Sequence, residues 1–129
     1  MNRVVYAIAL LLLSWLLMQA VHELGHVAGA WAVGGTVQRV VLHPLTISRT
    51  DVVDDVRPLV TVWCGPIVGA LLPLLGWWLS GRCRRPLDQA LRFFAGFCLI
   101  ANGAYLAYGS FDGIGDAGEL LKHGSPVWT

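Results

Sequence analysis

The sequence predicts a membrane protein that is mainly α-helical, with about three transmembrane helices, a small β-hairpin after the first and a short C-terminal helix. Of its 129 residues, 56% are hydrophobic and only 13% are charged, whereas soluble domains carry about 25% charged residues. Three long stretches are apolar enough to cross a bilayer. The length suits one domain, residues 1–129. No basic patch interleaved with aromatic residues suggests nucleic-acid binding.

The first transmembrane helix is predicted over about residues 4–33. Between Arg3 and Arg39 the only formally charged residue is Glu23, and this apolar run of about 30 residues exceeds the roughly 20 that span a bilayer. Gly34-Gly35 ends the helix. A signal peptide has a similar outline, but its apolar region is shorter. We therefore expect the segment to be retained.

The predicted hairpin occupies about residues 36–50. Segments 36–42 and 45–50 are rich in β-branched residues and flank His43-Pro44, a pattern typical of two short strands around a turn.

Two further spans and a short helix complete the prediction. The second helix, about 58–80, contains no charged residue, and its two prolines predict either kinks or backbone carbonyls that face a neighbouring helix. The third helix is predicted over about 87–108. A glycine-rich break at 109–115 and a short helix at about 116–123 follow it.

The three cysteines indicate neither a disulfide framework nor a thiolate metal site. Their number is odd and no C-x-x-C spacing occurs. Cys64 and Cys98 lie in apolar runs, which predicts small core residues. Cys83 lies among arginines and is not expected to be a reactive thiol.

An H-E-x-x-H motif, His22-Glu23-Leu-Gly-His26, lies inside the first predicted span. Helix positions i and i+4 share a face, so both imidazoles can bind one metal ion, most often zinc. Glu23 would then stand beside the metal as a general base. A charged group at bilayer depth costs roughly 2.5 kcal/mol or more, so this cluster predicts a functional Zn²⁺ site.

A hydrolytic zinc site normally has three protein ligands and one open position. Two histidines therefore require a third donor that reaches membrane depth. The candidates after the third span are Asp112, Asp116, Glu119 and His123.

Several motifs together resemble the site-2 protease family of intramembrane zinc metalloproteases, of which the chain would be a compact, divergent member. After the H-E-x-x-H motif and Gly34-Gly35 come a strand-rich insert and Gly65-Pro66, which opens an apolar helix. The run Asp116-Ala-Gly-Glu-Leu-Leu121 resembles the family's late Asp motif. The resemblance covers nearly the whole chain.

The resemblance implies that a late aspartate is the third zinc ligand. Asp116 fits the family spacing best, and Asp112, in Phe111-Asp-Gly113, is the alternative. Gly69 stands where the family has an asparagine, and Tyr105 stands where a proline would follow Asn102 by three residues. Asn102 is therefore either a substrate-binding residue or a helix-helix hydrogen-bonding residue.

The function implied by the resemblance is hydrolysis of membrane-anchored protein substrates by a zinc-activated water. The expected location is integral and multi-pass in a bacterial-type cell membrane, with the lipid bilayer as the other partner. The hairpin would offer an edge for β-addition of the substrate. Two alternatives remain: a non-proteolytic zinc-binding adaptor or sensor of the same fold, and a membrane scaffold whose motif is accidental.

Overall fold

The computed structural model describes residues 2–81 and 85–125. Its elements in chain order are α1 (Arg3–Val33), β1 (Thr36–Val41), β2 (Arg49–Val53), α2 (Pro58–Ser80), α3 (Arg85–Asp112) and α4 (Gly115–Lys122). Three of the helices are long and apolar enough to cross a membrane. The predicted fold class is confirmed: three long helices, a hairpin after the first and a short final helix. Cys83 lies outside the described residues.

Helix α1 begins and ends where local chemistry predicts. The Asn2 side chain accepts a hydrogen bond from the Val4 amide at 3.0 Å, which caps the first turn. Gly34 ends the helix in the left-handed conformation, with φ 84°. Between these ends α1 packs closely on α2. A Cβ at Gly25 would collide with the backbone carbonyl of Cys64.

The hairpin is antiparallel, with Thr36 opposite Val53 and Val41 opposite Arg49. Its second strand begins at Arg49, so the prediction of a strand from residue 45 was wrong at that end. Residues 42–48 form a long connecting turn instead. The backbone carbonyls of His43, Pro44 and Thr46 in this turn accept hydrogen bonds from α1 and do not pair with β1.

Two side chains of α1 bind the tip of this turn. The indole Nε1 of Trp15 donates to the Pro44 carbonyl oxygen at 2.9 Å. The Gln19 amide, oriented to satisfy its neighbours, donates to the carbonyls of His43 and Thr46, both at 3.3 Å. Backbone carbonyls outside helices and strands need such partners wherever water is excluded. These bonds therefore allow the turn to lie along the middle of α1.

Helices α2 and α3 are joined near the basic connection by a polar contact. Trp77 Nε1 donates to Asp88 at 3.1 Å, and the Arg92 guanidinium also bonds Asp88 at 3.3 Å. The same guanidinium lies 5.5 Å from the centre of a Trp77 ring, within cation-π range. This end of the helix pair is thereby fixed.

Helix α3 continues to Asp112, through glycine-rich chain that was expected to be broken from residue 109. Gly109 serves a packing purpose here, because a Cβ at this position would lie 2.7 Å from the Ile114 carbonyl oxygen. The chain turns at Gly113, whose φ is 65°. Helix α4 consequently folds back against the end of α3 and reaches the polar face of α1.

Candidate metal centre

The two histidines of the motif point to a common place on the buried face of α1. They are separated by one helical turn, and their Nε2 atoms lie 3.1 Å apart. His22 is 5% exposed and His26 is 7% exposed. The two ring nitrogens therefore face each other in a site largely closed to solvent.

Asp116, in the first turn of α4, completes a three-residue cluster. Its Oδ2 atom lies 2.8 Å from Nε2 of His22, and its Oδ1 atom lies 3.3 Å from Nε2 of His26. Around one tetrahedral zinc with bonds of about 2.0–2.1 Å, neighbouring donor atoms would be about 3.4 Å apart. The three donor separations, 2.8, 3.1 and 3.3 Å, are shorter than that value by about 0.6 Å or less. This donor set fits zinc.

The far sides of both imidazoles are held by acceptors. His22 Nδ1 lies 2.6 Å from Asn102 Oδ1, and His26 Nδ1 lies 3.0 Å from the Thr61 carbonyl oxygen. A carbonyl or amide oxygen can only accept, so each Nδ1 carries the proton. Each Nε2 is left with a lone pair for a metal, the usual arrangement of zinc-binding histidines.

Asn102 is itself fixed in the α2-α3 interface. Its Nδ2 donates to the Cys98 carbonyl oxygen at 2.8 Å. A Cβ at Gly69 would lie 2.9 Å from Asn102 Oδ1. Gly69 therefore makes room for the Asn102 amide. The structure places Asn102 against His22, so its contact is with a candidate ligand and also joins two helices.

A second glycine of α2 makes room for His26. A Cβ at Gly65 would collide with the imidazole ring of His26. Gly65 is followed by Pro66 within the helix. The Gly65-Pro66 pair noted in the sequence thus adjoins the cluster directly.

The position of Asp116 depends on the turn before α4. Gly115 has φ 59°, and a Cβ there would strike the Tyr105 hydroxyl, which packs over this backbone. The Tyr105 ring also meets the His22 ring edge-on, with centroids 5.9 Å apart. Helix α4 therefore starts beneath Tyr105, with Asp116 aimed at the histidines.

The Asp116 carboxyl is ionised at neutral pH. Burial alone would raise its pKa, but when His22 and His26 also carry protons at Nε2, their hydrogen bonds and charges outweigh burial and lower the pKa to about 2. Asp112, the alternative third ligand, is exposed at the end of α3. Of the two aspartates, the structure brings only Asp116 to the histidine pair.

Glu23 lies beside the histidines and turns toward the hairpin. One ligand atom from each of His22, Glu23 and His26 lies within 4.8 Å of the others. The Oε1 atom of Glu23 accepts a hydrogen bond from Ser48 Oγ, and its Oε2 atom accepts one from Thr50 Oγ1, both at 2.6 Å. Glu23 is 2% exposed. It is therefore next to the cluster without being one of its three convergent donors.

The cluster opens into a cavity of about 990 Å³. Its walls come from all four helices and from the β2 side of the hairpin. Residues that line it beyond the cluster include Met18, Ile47, Val62, Ala101, Tyr105 and Glu119. Apolar walls with a few convergent polar groups are typical of a ligand-binding or active site.

Sequence reasoning missed several residues around the site. Thr61 acts through its backbone carbonyl, which no residue identity reveals. Ser48 and Thr50 carried a weak signal, because polar side chains two apart on a strand share one face. Tyr105 follows Asn102 by three residues, a spacing that places both on one face of α3.

Glu119 and His123, the other candidate ligands considered, line the cavity and pair with each other at 3.9 Å.

A comparison with protein-family models matches residues 2–107 to the family described as Peptidase M50B-like. The match includes the H-E-x-x-H motif, the hairpin, α2 and Asn102. It ends before Asp116. No curated protein and no solved structure matched the chain.

Proposed function

Because the chain belongs to the Peptidase M50B-like family, of the site-2 protease type, we propose that it is an intramembrane zinc metalloprotease that hydrolyses membrane-anchored proteins. The observation that carries the proposal is the convergence of His22, His26 and Asp116 beside Glu23. Their contacts of 2.8, 3.1 and 3.3 Å form a donor set for one zinc ion. The cluster opens into the cavity among helices that can span a membrane.

His22, His26 and Asp116 would hold the zinc. Zinc supplies Lewis-acid polarisation of the scissile carbonyl and makes water a better nucleophile at neutral pH. Glu23 would take a proton from the attacking water as the water oxygen forms a bond to the carbonyl carbon of the substrate. Glu23 would then deliver that proton to the amide nitrogen as the C–N bond breaks.

The substrate would be an extended stretch of a membrane-anchored protein. A transmembrane helix must unwind locally, since its carbonyls are otherwise engaged in hydrogen bonds. Residues 49–52 of β2 line the cavity, whereas the cavity lining includes none of β1. The outer edge of β2 is therefore the edge on which a substrate strand would be added.

The location proposed is integral and multi-pass, in a bacterial-type cell membrane, with lipid around the exposed apolar helix faces. Large apolar side chains such as Leu12, Leu71 and Ile100 are 60%, 57% and 75% exposed. Such faces would be unfavourable in water and are suited to lipid.

A non-proteolytic zinc adaptor or sensor is the second candidate. It is favoured by the departures at Gly69 and Tyr105 from the family residues that handle substrate. The same three ligands would bind zinc, but no peptide would be cleaved.

The test is cleavage of a single-span reporter peptide with an Asn-Gly break in its apolar run, using zinc-loaded full chain in phospholipid nanodiscs. We expect the wild-type chain to cut it and Glu23→Gln to lose the activity while keeping its zinc. Asp112→Asn, which removes an exposed carboxylate, is the matched control. Zinc retained by a wild-type chain that does not cut would support the adaptor. Equal cutting by Glu23→Gln would reject the proposed mechanism.

A further inference from the structure

Glu23 is an ionisable group buried on a helix that is long and apolar enough to cross a membrane, and within the described residues the hairpin supplies both of its hydrogen-bond donors. Each carboxylate oxygen accepts one short bond, from Ser48 and from Thr50, at 2.6 Å. No ion pair to Glu23 occurs in the described residues 2–81 and 85–125. Because a buried carboxylate is costly without strong partners, the hydrogen bonds from these two hydroxyls are what stabilise it.

We propose that Ser48 and Thr50 are positioning residues, which hold the Glu23 carboxylate at the orientation required for proton transfer. Each carboxylate oxygen has further lone-pair capacity after accepting one hydrogen bond. The two bonds thus fix the group from the hairpin side and leave it able to meet a water near the histidines. A carboxylate held at both oxygens is confined to one rotamer.

The spacing of the two hydroxyls explains why the pair acts together. Ser48 directly precedes β2, and Thr50 is its second residue, so side chains two positions apart project to the same side. Ser48 is 9% exposed. Arg49, between them, is exposed and bonds Asp51 at 3.3 Å.

The hairpin can serve as a fixed support because its tip is bound to the same helix as Glu23. Trp15 and Gln19 contact the carbonyls of His43, Pro44 and Thr46. These two residues lie two turns and one turn before Glu23 on α1. Helix, turn and hydroxyl pair therefore form a closed loop of contacts around the carboxylate.

This inference rests on the proposed proteolytic function. Precise placement matters there, because an error of about 1 Å in a reacting group can reduce a rate about 100-fold. The test compares Ser48→Ala, Thr50→Val and their double variant with wild type, using the reporter peptide in nanodiscs. Thr36→Val is the matched control, since this exposed threonine lies on β1, which lines none of the cavity, and makes no bond to Glu23.

We expect kcat to fall about 10-fold in each single variant and about 100-fold in the double variant, with KM within about twofold of wild type. Zinc content should stay at the wild-type level. Thr50→Ser and Ser48→Thr, which keep a hydroxyl, should restore most of kcat. Thr36→Val should match wild type.

Three kinetic results would overturn the positioning role. They are an unchanged kcat in the double variant, a raised kcat that would mark the contact as an inhibitory latch, and a loss confined to KM. A wild-type chain that does not cut, or Glu23→Gln that cuts equally, would instead reject the proposed function itself. If the double variant loses zinc, the hydroxyls support the fold of the centre, and the positioning role is rejected.

Discussion

His22 Nδ1 and Asn102 Oδ1 lie 2.6 Å apart, across 80 residues of chain and between two different helices. The contact fixes the imidazole tautomer and directs Nε2 toward His26 and Asp116. Asn102 is held in turn by the Cys98 carbonyl. A buried asparagine of α3 thus orients a candidate metal ligand, as outer-sphere partners do in many zinc sites.

Replacing Asn102 should weaken zinc binding without removing a ligand. Asn102→Leu keeps a similar volume but leaves the His22 ring without its acceptor, so we expect zinc affinity to fall about 10- to 100-fold. Competition with a chromophoric chelator measures the change. Ser110→Ala, on the exposed face of the same helix, should bind zinc as wild type does. Equal affinity in both variants would contradict the orienting role.

Gly65 is expected to be intolerant of a single added methyl group. The Cβ of Gly65→Ala would enter the space of the His26 ring, and overpacking typically costs about 1–3 kcal/mol. We expect lower thermal stability and reduced zinc content. Gly76→Ala in the same helix meets nothing within 4 Å and should be at least as stable as wild type. If both variants kept full zinc, the close packing inferred at Gly65 would be wrong.

The third zinc ligand can be assigned by a pair of isosteric substitutions. Asp116→Asn removes the charge of the carboxylate that contacts both histidines, whereas Asp112→Asn alters an exposed residue four positions earlier. We expect Asp116→Asn to lose most bound zinc and Asp112→Asn to retain it. Metal analysis of the purified proteins measures this difference. Loss of zinc in Asp112→Asn alone would reverse the assignment.

Much of the fold could be predicted because long apolar runs and the near absence of charge leave few alternatives in a bilayer. The H-E-x-x-H motif is similarly explicit, since both histidines lie on one helix and their spacing alone places them together. Asp116 was harder. Its approach to the histidines depends on the reversal at Gly113 and the packing of α4, neither of which has a local pattern that specifies distance.

The errors fall where tertiary contacts override local preference. The turn before Arg49 has β-branched residues that favour a strand, but Trp15 and Gln19 take up its carbonyls. The sequence places Gly109 in an apparent break, yet α3 continues through it to Asp112, and the missing side chain leaves room for the Ile114 carbonyl just before α4. Partners of this kind lie far away in the chain. The Thr61 carbonyl, which bonds His26 across 35 residues of chain, is another such distant partner.

Loosening the hairpin tip should expose how far the site depends on it. Gln19→Leu removes the donor to the His43 and Thr46 carbonyls, so the turn loses two of its hydrogen bonds to α1. We expect faster hydrogen exchange of the backbone amides in residues 45–50, measured by mass spectrometry in nanodiscs. Gln89→Leu, at an exposed position in α3, should leave that exchange unchanged. Because Ser48 follows the tip directly, the Gln19→Leu variant should also cut the reporter more slowly. If its hydrogen exchange in residues 45–50 stayed as slow as in wild type, other contacts would hold the tip.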